Sequence, residues 1–429
     1  MEKLAIELNK LLDGTIAANL LSELGKNYYF PKGIVAQSAE AKKYAKRYNA
    51  TVGMAYREGS PMHLASIKQF VPDLKNDEIF SYAPTAGVLE FRKLWKEEII
   101  SKNPSLNGKG TSLPVVVSGL THGIVTIADL FIDPGDTVVI PDMFWGNYRL
   151  IFEVRKKAKI VTFPFFNSSG RLNTAALEET LTSTVKGKKI MLVLNFPNNP
   201  TGYSPTVEEA EDLVEILKKA ASNGKEVIVI TDDAYFGLFY EDETYKESIF
   251  AKLADLHDNI LAVKVDGATK ENLVWGFRIG FITFAGKSLT EEQYDALVQK
   301  TMGAVRSSVS SSSKIAQSLL IRAMKNSSYN EEKQSAFSIL KERYLTVKEM
   351  VKDFESNTLV SPLPFNSGYF MTFSVKKRKA EDLRRYLLMN RGIGTISVGT
   401  DYLRVAYSSI DKKDLKDLYR EILKASEKI

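Results

Sequence analysis

The chain has 429 residues, 44% of them apolar and 26% charged, the composition of a globular protein too long for one ordinary core. It contains no cysteine, which excludes disulfides, thiolate nucleophiles and cysteine-ligated metal clusters, and no apolar run reaches the roughly 18 residues of a membrane span. The formal charge of +6 does not read as a nucleic-acid surface: Arg155-Lys156-Lys157 and Lys376-Lys377-Arg378-Lys379 are short, far apart and without interleaved aromatics.

Residues 1–14 alternate charges with leucines and predict an amphipathic helix, not a signal peptide, so the cytoplasm is the default location. From about 115 to 285, β-branched runs alternate with helical stretches. Strands are expected at 115–118, 137–140, 159–163, 190–194, 226–231, 260–265 and 276–284. Most are apolar at consecutive positions, as in strands buried on both faces of a mainly parallel sheet. Leu213, Ile216 and Leu217 recur at helical spacing within 207–223, completing a βαβ pattern. The serine-rich stretch 306–314 reads by composition as a flexible linker.

After about residue 330 the character changes. A long helix over 330–354 leads to Pro362-Leu363-Pro364, a strand at 369–375, a helix at 380–390 and a strand at 402–407. A final helix starts from Asp411, which with Asp414 supplies an N-cap and a first-turn acid. This describes a smaller α+β domain completed by the N-terminal segment folding back. The expected division is a large domain over 56–329 and a small one over 1–55 plus 330–429.

The chemistry sits at strand ends. In Asn195-Phe-Pro-Asn-Asn-Pro-Thr-Gly202, each dipeptide alone is turn punctuation. The whole string after a buried strand is more specific: it places Asn199 at the carboxyl edge of the sheet, where open α/β sheets bind ligands. A cis Asn199–Pro200 bond is one way to aim it. Asp232-Asp233-Ala234-Tyr235 follows the next strand. Either aspartate alone suits a solvated N-cap; the functional reading has Asp232 holding a pyridine nitrogen protonated and Tyr235 bonding a ring hydroxyl.

Lys270 follows a further strand, and Arg278 lies eight residues beyond it. One lysine among many is ordinarily surface charge. Here an amine among other cations loses basicity and becomes a Schiff-base nucleophile, while Arg278 can clamp a phosphate. Gly119-Leu120-Thr121-His122-Gly123 joins a strand to a helix and offers an anion site at the helix start. Trp145 follows another strand end, where it either caps the core or stacks on a planar ring. The three histidines, His63, His122 and His257, show no metal-ligand spacing, so no metal site is expected.

Together these strings resemble the class I aminotransferases, fold-type-I enzymes that use pyridoxal 5′-phosphate, over nearly the whole chain and in the same order. The resemblance implies an α/β fold with a large domain built on a seven-stranded mainly parallel sheet flanked by helices, plus a smaller α+β domain. It makes Lys270 the Schiff-base lysine and proton shuttle. Asp232 becomes the ring-nitrogen partner, Tyr235 and Asn199 the ring-oxygen ligands, and Trp145 the stacking ring. Leu120, Thr121 and Arg278 become the phosphate ligands. Arg404 would take the substrate carboxylate, with Asn199 and Gly53 also facing the substrate. It further implies a homodimer with a shared active site, in which Tyr82 reaches the neighbour's phosphate and Arg306, four residues before Ser310, reads a dicarboxylate side chain. Val52-Gly53-Met54-Ala55-Tyr56-Arg57 resembles the aspartate and aromatic branch, so a dicarboxylic or aromatic L-amino acid with 2-oxoglutarate is the leading substrate pair. One departure is Gly267, where the family commonly has a phosphate-binding serine.

Two other readings use the same residues. A lyase, decarboxylase or synthase shares the scaffold and the carbanion chemistry. A ligand-sensing domain of a transcription regulator would carry a helix-turn-helix ahead of the fold, for which about 50 residues leave little room.

Overall fold

The computed structural model describes residues 34–428 except 52, 355, 356 and 358, together with Lys3, Ile6, Glu7 and Lys10. The amphipathic helix expected at 1–14 therefore lies outside the described residues apart from those four positions, which are helical.

The centre is a seven-stranded sheet. Its strands are β1 (Val115–Val117), β2 (Thr137–Pro141), β3 (Lys159–Phe163), β4 (Lys189–Asn195), β5 (Glu226–Asp232), β6 (Ile260–Asp266) and β7 (Gly280–Gly286). They lie in the order β1-β7-β6-β5-β4-β2-β3, with β7 antiparallel to both neighbours and the other pairings parallel. The consecutive apolar runs explain why: alternate residues of one strand enter two different cores. Met191 and Val193 of β4 face one core, and Ile190, Leu192 and Leu194 the other.

Helices cover both faces. They are α1 (Leu89–Lys102), α2 (Leu120–Phe131), α3 (Val207–Ser222), α4 (Glu291–Ser308), α5 (Lys314–Met324) and α6 (Tyr329–Met350). Ile124 and Ile127 of α2 with Val298 and Val305 of α4 line one core, while Phe91 and Ile99 of α1 with Leu213 and Leu217 of α3 line the other. The start of α3 is fixed by a capping box, Thr206 accepting from the Glu209 amide and Glu209 from that of Thr206.

A second sheet is wholly antiparallel. It runs β8 (Val360–Pro362), β9 (Met371–Val375), β11 (Tyr402–Val405), β10 (Ile396–Val398), with α7 (Ala380–Arg391) and α8 (Lys412–Ser426) beside it. Tyr48–Asn49 pairs in parallel with Ile393–Gly394, which seats the start of the described chain against its C-terminal part. No described helix is long and apolar enough to cross a membrane.

Several expectations need correction. The strand placed at 276–284 begins only at Gly280, because Trp275–Phe277 forms a 3-10 turn and Arg278 adopts a left-handed φ of 54°. The serine-rich stretch is no linker: it closes α4, makes one turn and opens α5, where the Ser313 hydroxyl caps the Ala316 amide. Asp411 stands at the N-cap of α8 without capping it, since its carboxylate accepts from the Glu58 amide and pairs with Arg343. The cis bond in the asparagine string is Phe196–Pro197 and not Asn199–Pro200. The basic clusters behave as solvated charge, with Arg155 and Lys156 paired to Asp129 and 376–379 exposed.

Candidate active site

The carboxyl ends of β1, β4, β5 and β6 and the entry to β7 meet at one sheet edge. They surround a cavity of about 270 Å³ lined by Leu120, Thr121, Trp145, Asn195, Asn199, Asp232, Ala234, Tyr235, Thr269, Lys270 and Arg278. Eight of the residues singled out in the sequence are thus brought together.

Lys270 sits in a single helical turn, Ala268–Glu271, directly after β6. Its Nζ donates to the Gly53 carbonyl at 3.3 Å and stands 5.3 Å from the Tyr235 ring centroid. Burial, joined by the positive charges of Arg278 and Arg404, holds the amine down at about 8, with Asp232 pulling the other way. Gly53 is part of the same surround: a side chain there would meet Phe370 and the Tyr235 hydroxyl.

Asp232 ends β5 and is 4% exposed. Its Oδ2 accepts from the Tyr148 hydroxyl at 2.5 Å and its Oδ1 from the Ala234 amide at 3.2 Å. Burial pushes this carboxyl up to about 6 and Asp233 adds to the rise, while the Tyr148 hydrogen bond opposes it. Tyr235 is also buried, which raises its phenol well above the usual value and keeps it a proton donor. Behind Asp232, Asp233 pairs with the buried Lys264, which also faces Asp266 at 3.5 Å.

Asn195 ties two strand ends together: its Nδ2 donates to the Asp232 carbonyl at 2.8 Å and its Oδ1 accepts from the Asn199 amide at 2.9 Å. Asn199 in turn accepts from Nη1 of Arg404 at 2.8 Å, which commits its amide oxygen and leaves its NH2 group for another partner. Arg404 comes from β11, so here the small sheet touches Asn199 of the cavity lining. Its Nη2 donates to the Thr51 carbonyl at 3.0 Å, and its guanidinium lies 4.2 Å from the Phe370 ring centroid. Its Nε is buried with no partner, and burial lowers its pKa to about 10.

The opposite end of the cavity suits an anion. α2 starts after Gly119, whose φ is 85°; a Cβ there would lie 2.4 Å from Nη2 of Arg278. Glycine therefore lets the arginine cross the first turn of α2, where unpaired amides already favour negative charge. The departure at Gly267 has a steric reason. A Cβ there would stand 2.6 Å from the Ile279 carbonyl oxygen and 2.9 Å from Gly280 Cα, so a serine fits only if the entry to β7 moves. Thr269 lines the cavity instead.

The residues present fit pyridoxal phosphate. A depressed amine, a buried carboxylate, a phenol, an amide, an indole and a cation beside a helix start all border one cavity, and Arg404, whose Nε is buried without a partner, is bonded to Asn199 of its lining. Among the described residues no group of histidines and carboxylates could hold a metal ion. His122 is structural, with Nδ1 accepting from the Ser118 amide and Nε2 against the Ser308 hydroxyl.

Arg306 and Tyr82 do not join this cluster within the chain. Arg306 lies near the end of α4, exposed and bonded to the Ser310 hydroxyl at 2.5 Å, and Tyr82 is 91% exposed. Sequence reasoning missed Tyr148, Asn195 and Thr269. Tyr148 carried one usable signal, its place three residues after Trp145; the other two lay inside strings already singled out for a neighbour.

The fold is that of the fold-type-I pyridoxal-phosphate transferases. The chain belongs to the aminotransferase class I and II family, whose model matches residues 54–422, and that family is pyridoxal-phosphate-dependent. It is 28% identical over 216 residues to the probable N-acetyl-LL-diaminopimelate aminotransferase of Bacillus subtilis (strain 168), covering 50% of each chain. It is 27% identical over 254 residues to the probable aspartate/prephenate aminotransferase of Rhizobium leguminosarum bv. phaseoli, covering 58% of this chain and 60% of that one. The chain thus matches half to three-fifths of the length of these relatives. The likeness of fold extends further: the aminotransferase structure from Anaerococcus prevotii gives a TM-score of 0.81 over 92% of this chain and 96% of its own, at 23% identity.

Proposed function

We propose that the protein is a pyridoxal-phosphate-dependent aminotransferase that moves an amino group between an L-amino acid and a 2-oxo acid in two half-reactions. The leading pair is a dicarboxylic amino acid, aspartate first, with 2-oxoglutarate; aromatic amino acids are the next candidates. A large unit over 56–329 carries the cofactor, a small one over 1–55 and 330–429 supplies Arg404, and two copies share each active site through Tyr82 and Arg306.

The observation that carries this reading is the pairing of a depressed amine, Lys270, with a buried guanidinium, Arg404, that has an N–H left over. A lysine alone suits any pyridoxal-phosphate enzyme. A partly unsatisfied buried arginine next to it suits a substrate with an α-carboxylate.

Pyridoxal phosphate supplies an electron sink for the bond broken at the substrate α-carbon. Lys270 would hold the group through Nζ, and the same amine is placed to carry a proton to and from the substrate α-carbon. With its pKa at about 8, a useful fraction of the amine is neutral near pH 7. Asp232 keeps the ring nitrogen protonated, held by Tyr148 and the Ala234 amide. Tyr235 and the NH2 of Asn199 bind the ring oxygen. Trp145 covers the ring, and the first turn of α2 with Thr121, Thr269 and Arg278 receives the phosphate.

The test is a half-reaction screen, in which the cofactor spectrum of the holoenzyme is followed as single amino acids are added. Conversion by L-amino acids, abolished in Lys270→Ala, is expected. Near wild-type turnover in that variant would defeat the mechanism.

A further inference from the structure

Glu271, the neighbour of Lys270, belongs to a ring of four alternating charges outside the cavity. Lys102 Nζ lies 2.6 Å from Glu98 and 2.7 Å from Glu271, and Lys333 Nζ lies 2.8 Å from Glu98 and 3.1 Å from Glu271. The four side chains are only 12% to 23% exposed. Burial pushes the Glu271 carboxyl up, but Lys102 and Lys333 outweigh it and keep the group ionised. The ring is charge-balanced, so its members satisfy one another.

Its placement is what gives it meaning. Glu98 and Lys102 belong to α1 and Lys333 to α6, so the ring joins two helices to the turn that carries Lys270. That turn has four residues and cannot hold its own geometry. Two neutral bonds act at the same place: Asn272 donates to the hydroxyl of Tyr329, the first residue of α6, and the Tyr369 hydroxyl donates to the Lys270 carbonyl at 3.0 Å. α6 also packs against α8, beside the small sheet.

We propose that Glu271 and Lys333 are positioning residues, which fix the Lys270 turn to α6 so that the amine is presented correctly only when α6 is seated against α1. The proposal rests on Lys270 being the reactive amine of the aminotransferase.

The test is a double-mutant cycle, Glu271→Gln and Lys333→Met singly and together, read three ways on protein that still folds. Amide hydrogen exchange of 268–274, with and without pyridoxal phosphate, should quicken by about tenfold in each single variant while exchange in the central sheet is unchanged. Holoenzyme kcat should fall about tenfold with KM within roughly twofold of wild type. The double variant should be no worse than the worse single one, because the pair acts as a unit. Additive losses, or lowered melting temperature with kcat and local exchange unchanged, would overturn the proposal and leave the ring a simple stabiliser. If wild-type protein takes up no pyridoxal phosphate, the aminotransferase reading fails instead, and exchange in the cofactor-free protein still decides whether the ring holds the turn.

Discussion

The hydroxyl of Tyr148 donates a 2.5 Å hydrogen bond to Oδ2 of Asp232, and both side chains are buried. The phenol is itself driven well above its usual pKa by burial, so it remains a donor at any working pH. It offsets part of the burial that raises Asp232 to about 6.

Tyr148→Phe should therefore raise the Asp232 pKa further. A hydrogen bond to a charged group is worth about 1.5–3 kcal/mol, so affinity for pyridoxal phosphate should drop about 10- to 100-fold. Asp232 works ionised, so the acid limb of the kcat/KM profile should move to higher pH. Cofactor titration and a pH–rate profile check both, and an unmoved acid limb would remove Tyr148 from the mechanism.

Lys270 supplies a second pH prediction. In cofactor-free protein its amine should react with pyridoxal phosphate with a rate that rises with pH and is half-maximal at about 8, below the usual lysine value. Arg278→Gln removes a cation and should shift that midpoint upward. Stopped-flow absorbance against pH measures it. A midpoint that stays put, or falls, in the variant would show that Arg278 does not act on the amine.

Arg404→Gln should cost about 2–5 kcal/mol in binding any α-carboxylate, the usual loss when one partner of a buried charge pair is truncated. Half-reaction kcat/KM for an amino acid and for the matching amine without the carboxylate separates the roles. Equal losses for the two would mean that Arg404 supports the fold of the cavity and not the substrate.

Arg306→Gln should lower kcat/KM for aspartate much more than for an aromatic amino acid. Because Arg306 and Tyr82 lie away from the cavity of their own chain, this outcome also requires a second copy of the chain. Light scattering checks that requirement. If aspartate and the aromatic amino acid lose equal specificity, Arg306 does not read the side chain.

The central strands were legible because their pattern is local: two buried faces leave consecutive apolar residues, as in Ile190 to Leu194. Lys270, Asp232, Tyr235 and Asn199 were legible because each lies at or just past the end of a strand. What escaped depended on contacts between distant segments. Nothing local marks Tyr148 as the donor to Asp232, or Glu271 as the partner of Lys102 and Lys333. The apolar residues of 276–284 suggest a strand four residues too early, because a left-handed Arg278 delays the start to Gly280. Asp411 read as a helix cap because its competing partner, Arg343, lies far back in the chain.

β1 has one neighbour in the sheet, β7, and the anion end of the cavity forms where Gly119 after β1 meets Arg278 before β7. A phosphate held there would bridge two segments that are remote in sequence and joined by a single short pairing. Loss of the bound group should then loosen the β1 edge before the rest of the sheet, while saturating cofactor shifts the equilibrium toward the closed edge by mass action. The phosphate would serve as a fastener for the sheet as well as a handle for the cofactor.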